Sequence, residues 1–332
     1  MGNGLAFSSG KMTLLQIIQQ VYNELSLGVT PPQSVIANND QQITQLLALA
    51  NREGRNFYNA GFGTDSGWQA LRREFQISIA AVSGLTGTFT PGSNVITNVS
   101  PNPLTAGVTT AMQAYDTNAM PVETMVTAIT ANTITISNNS TATSVLNNES
   151  FFCGQATYPL PSDFNYFMSQ TFWDRAFRWQ LLGPIDAQEW QVLKSGISPT
   201  GPRRRFRIYN NTFNIDPVPG FSSSDNGSIE VAEYYTNGWC QSTGGINGNI
   251  QTVWTADTDN YCLDDDAMIL GIKWRYLRAK RLSYDEEKRD YDLLAERLMA
   301  RDGGSRSLPL NASASGIRLL NSQNVPDTGF GS

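Results

Sequence analysis

The residues best suited to chemistry form an acidic run of five aspartates within ten positions: Asp257, Asp259, Asp264, Asp265 and Asp266. Carboxylate oxygens are the ligands that Ca²⁺ and Mg²⁺ prefer in proteins. A calcium-binding loop also requires a glycine at its sixth position and a glutamate at its twelfth. Counted from the first aspartate, those positions hold Cys262 and Met268. We therefore predict no metal site and interpret the run as a helix N-cap with first-turn acids, which the helix dipole favours.

The second cluster is basic and lies in an alternating segment: Arg203, Arg204, Arg205 and Arg207. Alternation in a β-strand separates the odd-numbered arginines from Arg204, which shares its face with Phe206 and Ile208. Guanidinium groups bind phosphates and carboxylates, so the cluster fits either DNA or acids on a partner subunit. The net charge of -6 favours the partner subunit. All four arginines are candidate interaction residues, and a solvated face without a partner stays open.

The sequence contains no histidine. This excludes a histidine general base, a Ser-His-Asp or Cys-His pair and any metal site built on histidine. An enzyme reading would be a glycan hydrolase using acids such as Glu149, Asp163 and Glu233. Such an enzyme needs two carboxylates at a suitable separation in one cleft, and no sequence feature selects a pair. We predict a protein that is not an enzyme, without catalytic residues and without a cofactor.

Composition points to a folded protein with a lightly charged surface, since 40% of residues are hydrophobic and 16% are charged. Three cysteines, none in a CxxC spacing, are typical of reduced, packed thiols. No signal peptide or membrane-spanning stretch is predicted. The sequence therefore indicates a protein made in the cytoplasm that leaves it only inside a particle.

The periodicity of apolar residues predicts helices near both ends and strands between them. Helices are expected at about 13–25, from 40 to a break at Gly61, at 184–196, 264–281 and 284–301. Thr13 and Gln16 are expected to form a capping box at the start of the first helix. Strands are expected over 68–152 and 228–239, and a hairpin over 203–219 with its turn at Asn210-Asn211. The charged helix at 285–301 is most simply a solvated face. Dense aromatic residues at 164–179 are interpreted as core, with a sugar-binding platform as the alternative.

These elements predict an α+β fold. Its centre is a four-helix bundle formed by the N- and C-terminal helix pairs. A central β-rich region carries an inserted small β-domain, and an extended tail ends the chain. The predicted division is a core of helices and β elements at 12–80 and 154–304, an inserted β-domain at 84–152 and a C-terminal arm at 305–332.

Four segments, in this order, resemble the head-to-tail adaptor (connector) proteins of short-tailed and related bacteriophages. They read TLLQIIQQVYNEL (13–25), YPLPSDF (158–164), WTADTDNYCLDDDAMILGIKWRYLRAK (254–280) and YDEEKRDYDLLAERLMAR (284–301). Two further segments, at 87–101 and 126–143, resemble a small β-domain that recurs in phage structural and surface proteins. No single segment is a sharp motif, so the resemblance rests on their order and spacing.

The resemblance implies a structural virion protein that forms a ring of twelve copies under the portal and connects it to the tail. The implied partners are the portal protein, the tail nozzle or other tail proteins, and further copies of the chain. Genomic DNA would pass through the lumen without specific binding, and no membrane is involved. The implied location is the head-tail interface of the virion, assembled in the host cytoplasm. A tail nozzle or tube protein and a host-surface glycan-binding tail component are the alternatives.

The resemblance also implies a role for the polar arm at 305–332. In such adaptors an extended C-terminal segment reaches the portal or a neighbouring subunit. The candidate interaction residues in this arm are Arg306, Leu308, Pro309, Leu310, Ile317 and Leu319.

Overall fold

The computed structural model of the protein describes residues 11–62, 67–116, 118–195, 204–242 and 249–303. Within these residues the chain forms six helices. They are α1 (Leu14–Glu24), α2 (Gln41–Phe62), α3 (Pro103–Ala106), α4 (Ala187–Lys194), α5 (Asp265–Ala279) and α6 (Asp285–Gly303). None of these helices combines the length and the apolar composition that crossing a membrane requires.

The described strands are all paired antiparallel with their neighbours. They are β1 (Arg72–Ser78), β2 (Ala81–Phe89), β3 (Val95–Ser100), β4 (Gln113–Tyr115), β5 (Thr124–Ile129), β6 (Ile134–Ile136), β7 (Leu146–Gly154), β8 (Thr157–Pro159), β9 (Phe164–Phe167), β10 (Trp173–Asp174), β11 (Trp179–Gln180), β12 (Arg205–Tyr209), β13 (Thr212–Asp216), β14 (Ile229–Thr236), β15 (Cys240–Gln241), β16 (Ile250–Gln251) and β17 (Asn260–Tyr261).

These strands form four sheets. One is a closed barrel in the order β2-β3-β6-β5-β4-β7. A five-stranded sheet has the order β1-β14-β10-β11, with β9 also paired to β14. Two three-stranded sheets have the orders β12-β13-β8 and β16-β15-β17.

Helix α1 illustrates how the local sequence sets an element. The Thr13 side chain accepts a hydrogen bond from the Gln16 backbone, and the Gln16 side chain accepts one from Thr13, which completes the predicted capping box. The apolar residues recur at the spacing of one helix face and are fully buried: Leu14, Ile17, Ile18 and Val21.

The predicted fold class, an α+β protein centred on a four-helix bundle, is wrong. Antiparallel strands, including the closed barrel, make up most of the architecture, and the helices flank them toward the ends of the chain. Helices α1, α2 and α6 each pack against α5, which therefore acts as a hub. Their shared core is filled from the strand side by Trp239, Trp254 and Tyr261. Amphipathic patterns identify the buried helix faces, but they do not reveal that strands and loops cover part of them.

The closed barrel has its own hydrophobic core. It runs from Ala81 to Gly154, and its largest buried side chains include Phe89 and Phe151, whose rings meet edge to face at 5.6 Å between centroids. The barrel strands thus span 81–154, a range that contains the 84–152 predicted for an inserted β-domain. The predicted division into a core, an inserted domain and an arm stays a prediction.

A third core lies between the five-stranded sheet and the β12-β13-β8 sheet, and it is rich in phenylalanine. The rings of Phe172 and Phe206 are 4.0 Å apart, and Phe206 and Phe213 stack at 5.1 Å. The aromatic segment at 164–179 contributes to this layer, yet Trp179 is 40% exposed and stacks on Phe177. Core packing therefore accounts for only part of that segment.

Candidate functional site

The most strongly charged buried site surrounds Arg204, just before β12. The Arg204 guanidinium donates to Asp174 Oδ2 at 3.1 Å, Asp225 Oδ1 at 3.1 Å and Glu230 Oε1 at 2.6 Å. It also donates to Ser228 Oγ at 3.2 Å. The arginine side chain is only 9% exposed. These five residues are the Arg204 cluster.

The residues of the Arg204 cluster lie on several elements. Asp174 lies on β10, Glu230 on β14, and Asp225 in a 3₁₀ turn between β13 and β14. Asp174 Oδ1 additionally accepts from the backbone of Ala176 and Phe177, at 2.8 and 2.9 Å. The cluster therefore ties the start of the β12-β13 hairpin to the five-stranded sheet and to the turns around it.

The cluster holds more negative than positive charge. Three carboxylates surround one guanidinium, which stays protonated in proteins. Burial raises the pKa of Glu230 to about 7, although the charge of Arg204 opposes the shift. The arrangement is therefore stable with Glu230 neutral, and ionisation of Glu230 has a free-energy cost.

Replacing Glu230 with glutamine should flatten the pH dependence of stability. Between pH 4.5 and about 7 the folded protein holds a proton on Glu230 that the unfolded chain has released. The free energy of unfolding therefore falls as the pH rises through that window, by up to about 1.4 kcal/mol per pH unit. Glu230→Gln stays neutral throughout and should lose the part of the slope that Glu230 contributes.

Urea unfolding of the wild type and of Glu230→Gln across this window measures the slope. Glu233→Gln, at an exposed position on the same strand, is the matched control and should keep the wild-type profile. Parallel pH profiles for the wild type and Glu230→Gln would contradict the assignment.

Arg205 and Arg207 lie on the opposite face of the strand from Arg204, as alternation predicts. Arg205 Nη1 is 3.7 Å from Glu189 Oε1 on α4, and Arg207 lies over the exposed ring of Tyr209. Arg204, by contrast, is engaged inside the protein. The remaining candidate interaction residues lie outside the described residues: Arg203, Arg306, Leu308, Pro309, Leu310, Ile317 and Leu319.

The acidic run begins helix α5, as predicted. Asp264 is the N-cap and accepts from the backbone N–H groups of Asp266 and Ala267, at 3.1 and 3.2 Å. Asp265 Oδ2 accepts from the Met12 backbone at 3.0 Å and thereby fastens the start of the described chain to α5. Backbone donors thus occupy these carboxylates.

The other two aspartates of the run organise the loop before α5. Asp257 Oδ1 accepts from the backbone N–H groups of Val35 and Ile36, and Asp257 Oδ2 accepts from the Ser34 hydroxyl. Burial raises the pKa of Asp257, but these hydrogen bonds outweigh burial and lower the pKa below its usual value. Asp259 Oδ2 accepts from the backbone of Thr255 at 2.8 Å. Across the part of the chain that the structure describes, no group of three or more acidic, histidine or cysteine side chains could hold a metal ion.

The three acids considered for hydrolysis lie in different surroundings. Glu149 is on barrel strand β7, where Asn118 donates to it at 2.8 Å. Asp163 accepts from Tyr234 at 2.9 Å and pairs with Arg73, whereas Glu233 is exposed on β14. Each of the two hydrogen-bonded carboxylates thus has a partner within the fold.

A buried ion pair between α2 and α5 was not predicted from the sequence. Glu53 on α2 is fully buried and contacts Arg275 on α5. Burial raises the pKa of Glu53 to about 7, against the opposing charge of Arg275. The sequence held a signal, because Glu53 falls on the same helix stripe as Ala50 and Phe57.

No model of a known protein family matches the chain, and no curated protein matches it.

Proposed function

We propose that this chain is a structural virion protein of a tailed bacteriophage, a head-to-tail adaptor. Twelve copies form a ring under the portal, and the ring connects the portal to the tail nozzle or other tail proteins. Genomic DNA passes through the lumen without specific binding. The protein works at the head-tail interface of the virion after assembly in the host cytoplasm.

One observation carries the proposal. Three of the segments that resemble adaptors lie at opposite ends of the chain, at 13–25, 254–280 and 284–301, yet they contribute to one hydrophobic core. The backbone N–H of Leu14 donates to the carbonyl of Asp259 at 2.9 Å, which joins two of these segments directly. Segments that are similar to one family, and that also pack together, support a shared architecture more strongly than each segment alone.

The outer face of α6 supplies a surface suited to contacts between subunits. Its exposed charged side chains have both signs: Asp285, Glu286, Arg289, Asp290, Asp292, Glu296, Arg297 and Arg301. Among them Leu293 is 45% exposed. A ring needs two different complementary faces on each subunit. A mixed-charge helix face with an apolar centre meets the requirement for one of them.

Mass photometry of the chain, alone and mixed with its portal, tests the proposal. A ring of twelve 36.5 kDa chains has a mass of about 440 kDa. We expect this mass either for the chain alone or as an increment on the portal. Leu293→Glu should abolish the complex, whereas Leu104→Glu, at a leucine that is 55% exposed on α3 of the barrel region, should leave it intact.

Two outcomes would overturn the proposal. A chain that stays monomeric and does not bind the portal is not an adaptor. A chain that ignores the portal but binds other tail proteins would instead be a tail nozzle or tube component. Circular dichroism of both variants distinguishes a lost interface from a lost fold.

A further inference from the structure

Strand β1 lies at the edge of its sheet, and the backbone groups on its outer side have no strand partner among the described residues. Its one strand neighbour among the described residues is β14. Just after β1, the Ile79 N–H donates to the Ser228 carbonyl at 2.8 Å, so residue 79 bonds toward β14. Backbone groups alternate in direction along a strand. The N–H and C=O groups of Glu74, Gln76 and Ser78 therefore point away from β14, and they are the β1 edge.

The pairing of β14 with its other neighbours supports this assignment. The carbonyls of Ile229 and Glu233 accept from the backbone of Arg175 and Met168, on the side of β10 and β9. The even-numbered residues of β14 therefore direct their backbone N–H and C=O groups toward β1, where they lie opposite the odd-numbered residues of β1. This leaves the even-numbered residues of β1 facing outward.

The β1 edge borders a groove of about 510 Å³, whose opposite wall is β8 and the residues that follow it. The floor is apolar, because Phe75, Ile77, Tyr158 and Leu160 are each 6–8% exposed and belong to the phenylalanine-rich core. At one end the walls converge, since the Gln155 N–H donates to the Ala80 carbonyl at 2.9 Å. The groove therefore continues a pairing that stops at residue 80.

The two walls of the groove differ in how well they are protected against pairing with a further strand. The β8 wall carries Pro159 and Pro161, which have no N–H to offer a further strand. The β1 edge carries no proline, and Glu74 is its one charged residue, paired with Arg175 at 2.6 Å. Edge strands in stable proteins are usually blocked or covered. The asymmetry indicates that an additional strand is accommodated on the β1 side.

We propose that residues 306–310, which follow α6 in the same chain, add to the β1 edge as a short parallel strand. The end of α6 lies at the start of β1, because the Gln69 N–H donates to Asp302 Oδ2 at 2.7 Å. A 3₁₀ turn and half of β1 place Gln76 about 19 Å from Gln69. Six extended residues from Gly303, where α6 ends, to Pro309 cover about 20 Å. This inference does not rest on the adaptor role.

The sequence of this segment fits the register. With Pro309 beside Gln76, Leu308 and Leu310 point to the apolar floor, on the same face as Phe75 and Ile77. In a parallel pair, the Gln76 N–H then donates to the Leu308 carbonyl, and the Leu310 N–H donates to the Gln76 carbonyl. Pro309 has no backbone N–H, and in this register its nitrogen faces the β8 wall, so the pairing with β1 loses no hydrogen bond. The proposed strand does not include Ile317 and Leu319.

Hydrogen exchange of the full chain tests the proposal. In the wild type the amides of Gln76 and Ser78 should exchange slowly. Leu308→Ser with Leu310→Ser should speed their exchange by at least about tenfold, because opening of the added strand becomes easier. The matched control, Ile317→Ser with Leu319→Ser, should leave the exchange at its wild-type rate. Equal exchange in all three proteins would overturn the proposal, as would an effect confined to the control.

A crosslink identifies which chain occupies the groove. Gln76→Cys combined with Pro309→Cys should form a disulfide within one chain on oxidation, giving a product of protomer mass. The native thiols of Cys153, Cys240 and Cys262 are buried and do not compete. Dimers joined by the new disulfide would show that a second copy fills the groove, and they would overturn the assignment to the same chain.

Discussion

Arg204→Met should lower the free energy of unfolding by about 3–5 kcal/mol at pH 8. The substitution removes the cation that pairs with Asp174, Asp225 and Glu230, whose side chains are 7%, 16% and 2% exposed. Breaking a buried pair from one side leaves the other side charged and desolvated. Methionine keeps much of the side-chain volume, so the loss reports mainly the uncompensated charge.

The loss in Arg204→Met should shrink as the pH falls toward 5. Glu230 is the carboxylate that takes up a proton in this range, since burial raises the pKa of Glu230 to about 7 even in the presence of the arginine. Without the arginine the pKa can only rise further, so protonation relieves the repulsion at a higher pH. Urea unfolding of the variant at pH 5 and pH 8 measures this recovery.

The neighbouring residue provides the matched control. Arg205→Met removes a guanidinium from the same strand, but its partner Glu189 is 3.7 Å away and the pair is 28% and 52% exposed. Solvent-exposed pairs of this kind contribute less than about 1 kcal/mol. Equal losses for the two variants would show that strand geometry, rather than the buried cluster, determines stability here.

Sequence patterns predict those parts of this fold in which one segment determines its own structure. The capping box of α1, the N-cap at Asp264 and the hairpin turn at Asn210 and Asn211 are all confirmed. Both turn residues have positive φ, at 51° and 56°, which the tight turns that connect hairpin strands require. In each case the information lies within a few neighbouring residues, so the prediction does not require knowledge of distant contacts.

The architecture depends on contacts that no local pattern contains. The helix stripes predicted four packed helices, but Trp239, Trp254 and Tyr261 of distant segments complete the core between them. Barrel closure likewise depends on β4 pairing with β7, more than thirty residues along the chain. Periodicity identifies a buried face, and tertiary contacts decide what buries it.

The charged residues show the same limit. The arginine run indicated an interaction surface, and alternation separated Arg204 from its neighbours correctly. The partners of Arg204 are its own chain's acids, which lie on three other elements. A sequence that reveals a cluster of one sign does not reveal where the opposite sign will lie after folding.

Glu53→Ala should lower the free energy of unfolding by about 3–5 kcal/mol at pH 8. The loss should grow toward pH 5, because folded wild type, in which the pKa of Glu53 is about 7, then holds a proton on Glu53 that the unfolded chain has largely released. Glu53 is the one carboxylate recorded in an ion pair with Arg275 among the described residues, and the arginine side chain is 8% exposed. An arginine cannot lose its proton in a protein, so the stranded cation has no titration that relieves it. This separates the variant from Arg204→Met, where the stranded groups are acids.

A second ion pair on α5 gives the control for Glu53→Ala. Glu24 of α1 meets Lys273 of α5 at 2.8 Å, but Glu24 is 37% exposed, so Glu24→Ala should cost less than about 1 kcal/mol. Both variants remove a glutamate that pairs with the same helix, and they differ mainly in burial. Urea unfolding at pH 5 and pH 8 compares them. A loss in Glu53→Ala that disappears at pH 5 would show that Arg275 does not depend on this carboxylate, and that neighbouring groups or water satisfy its charge.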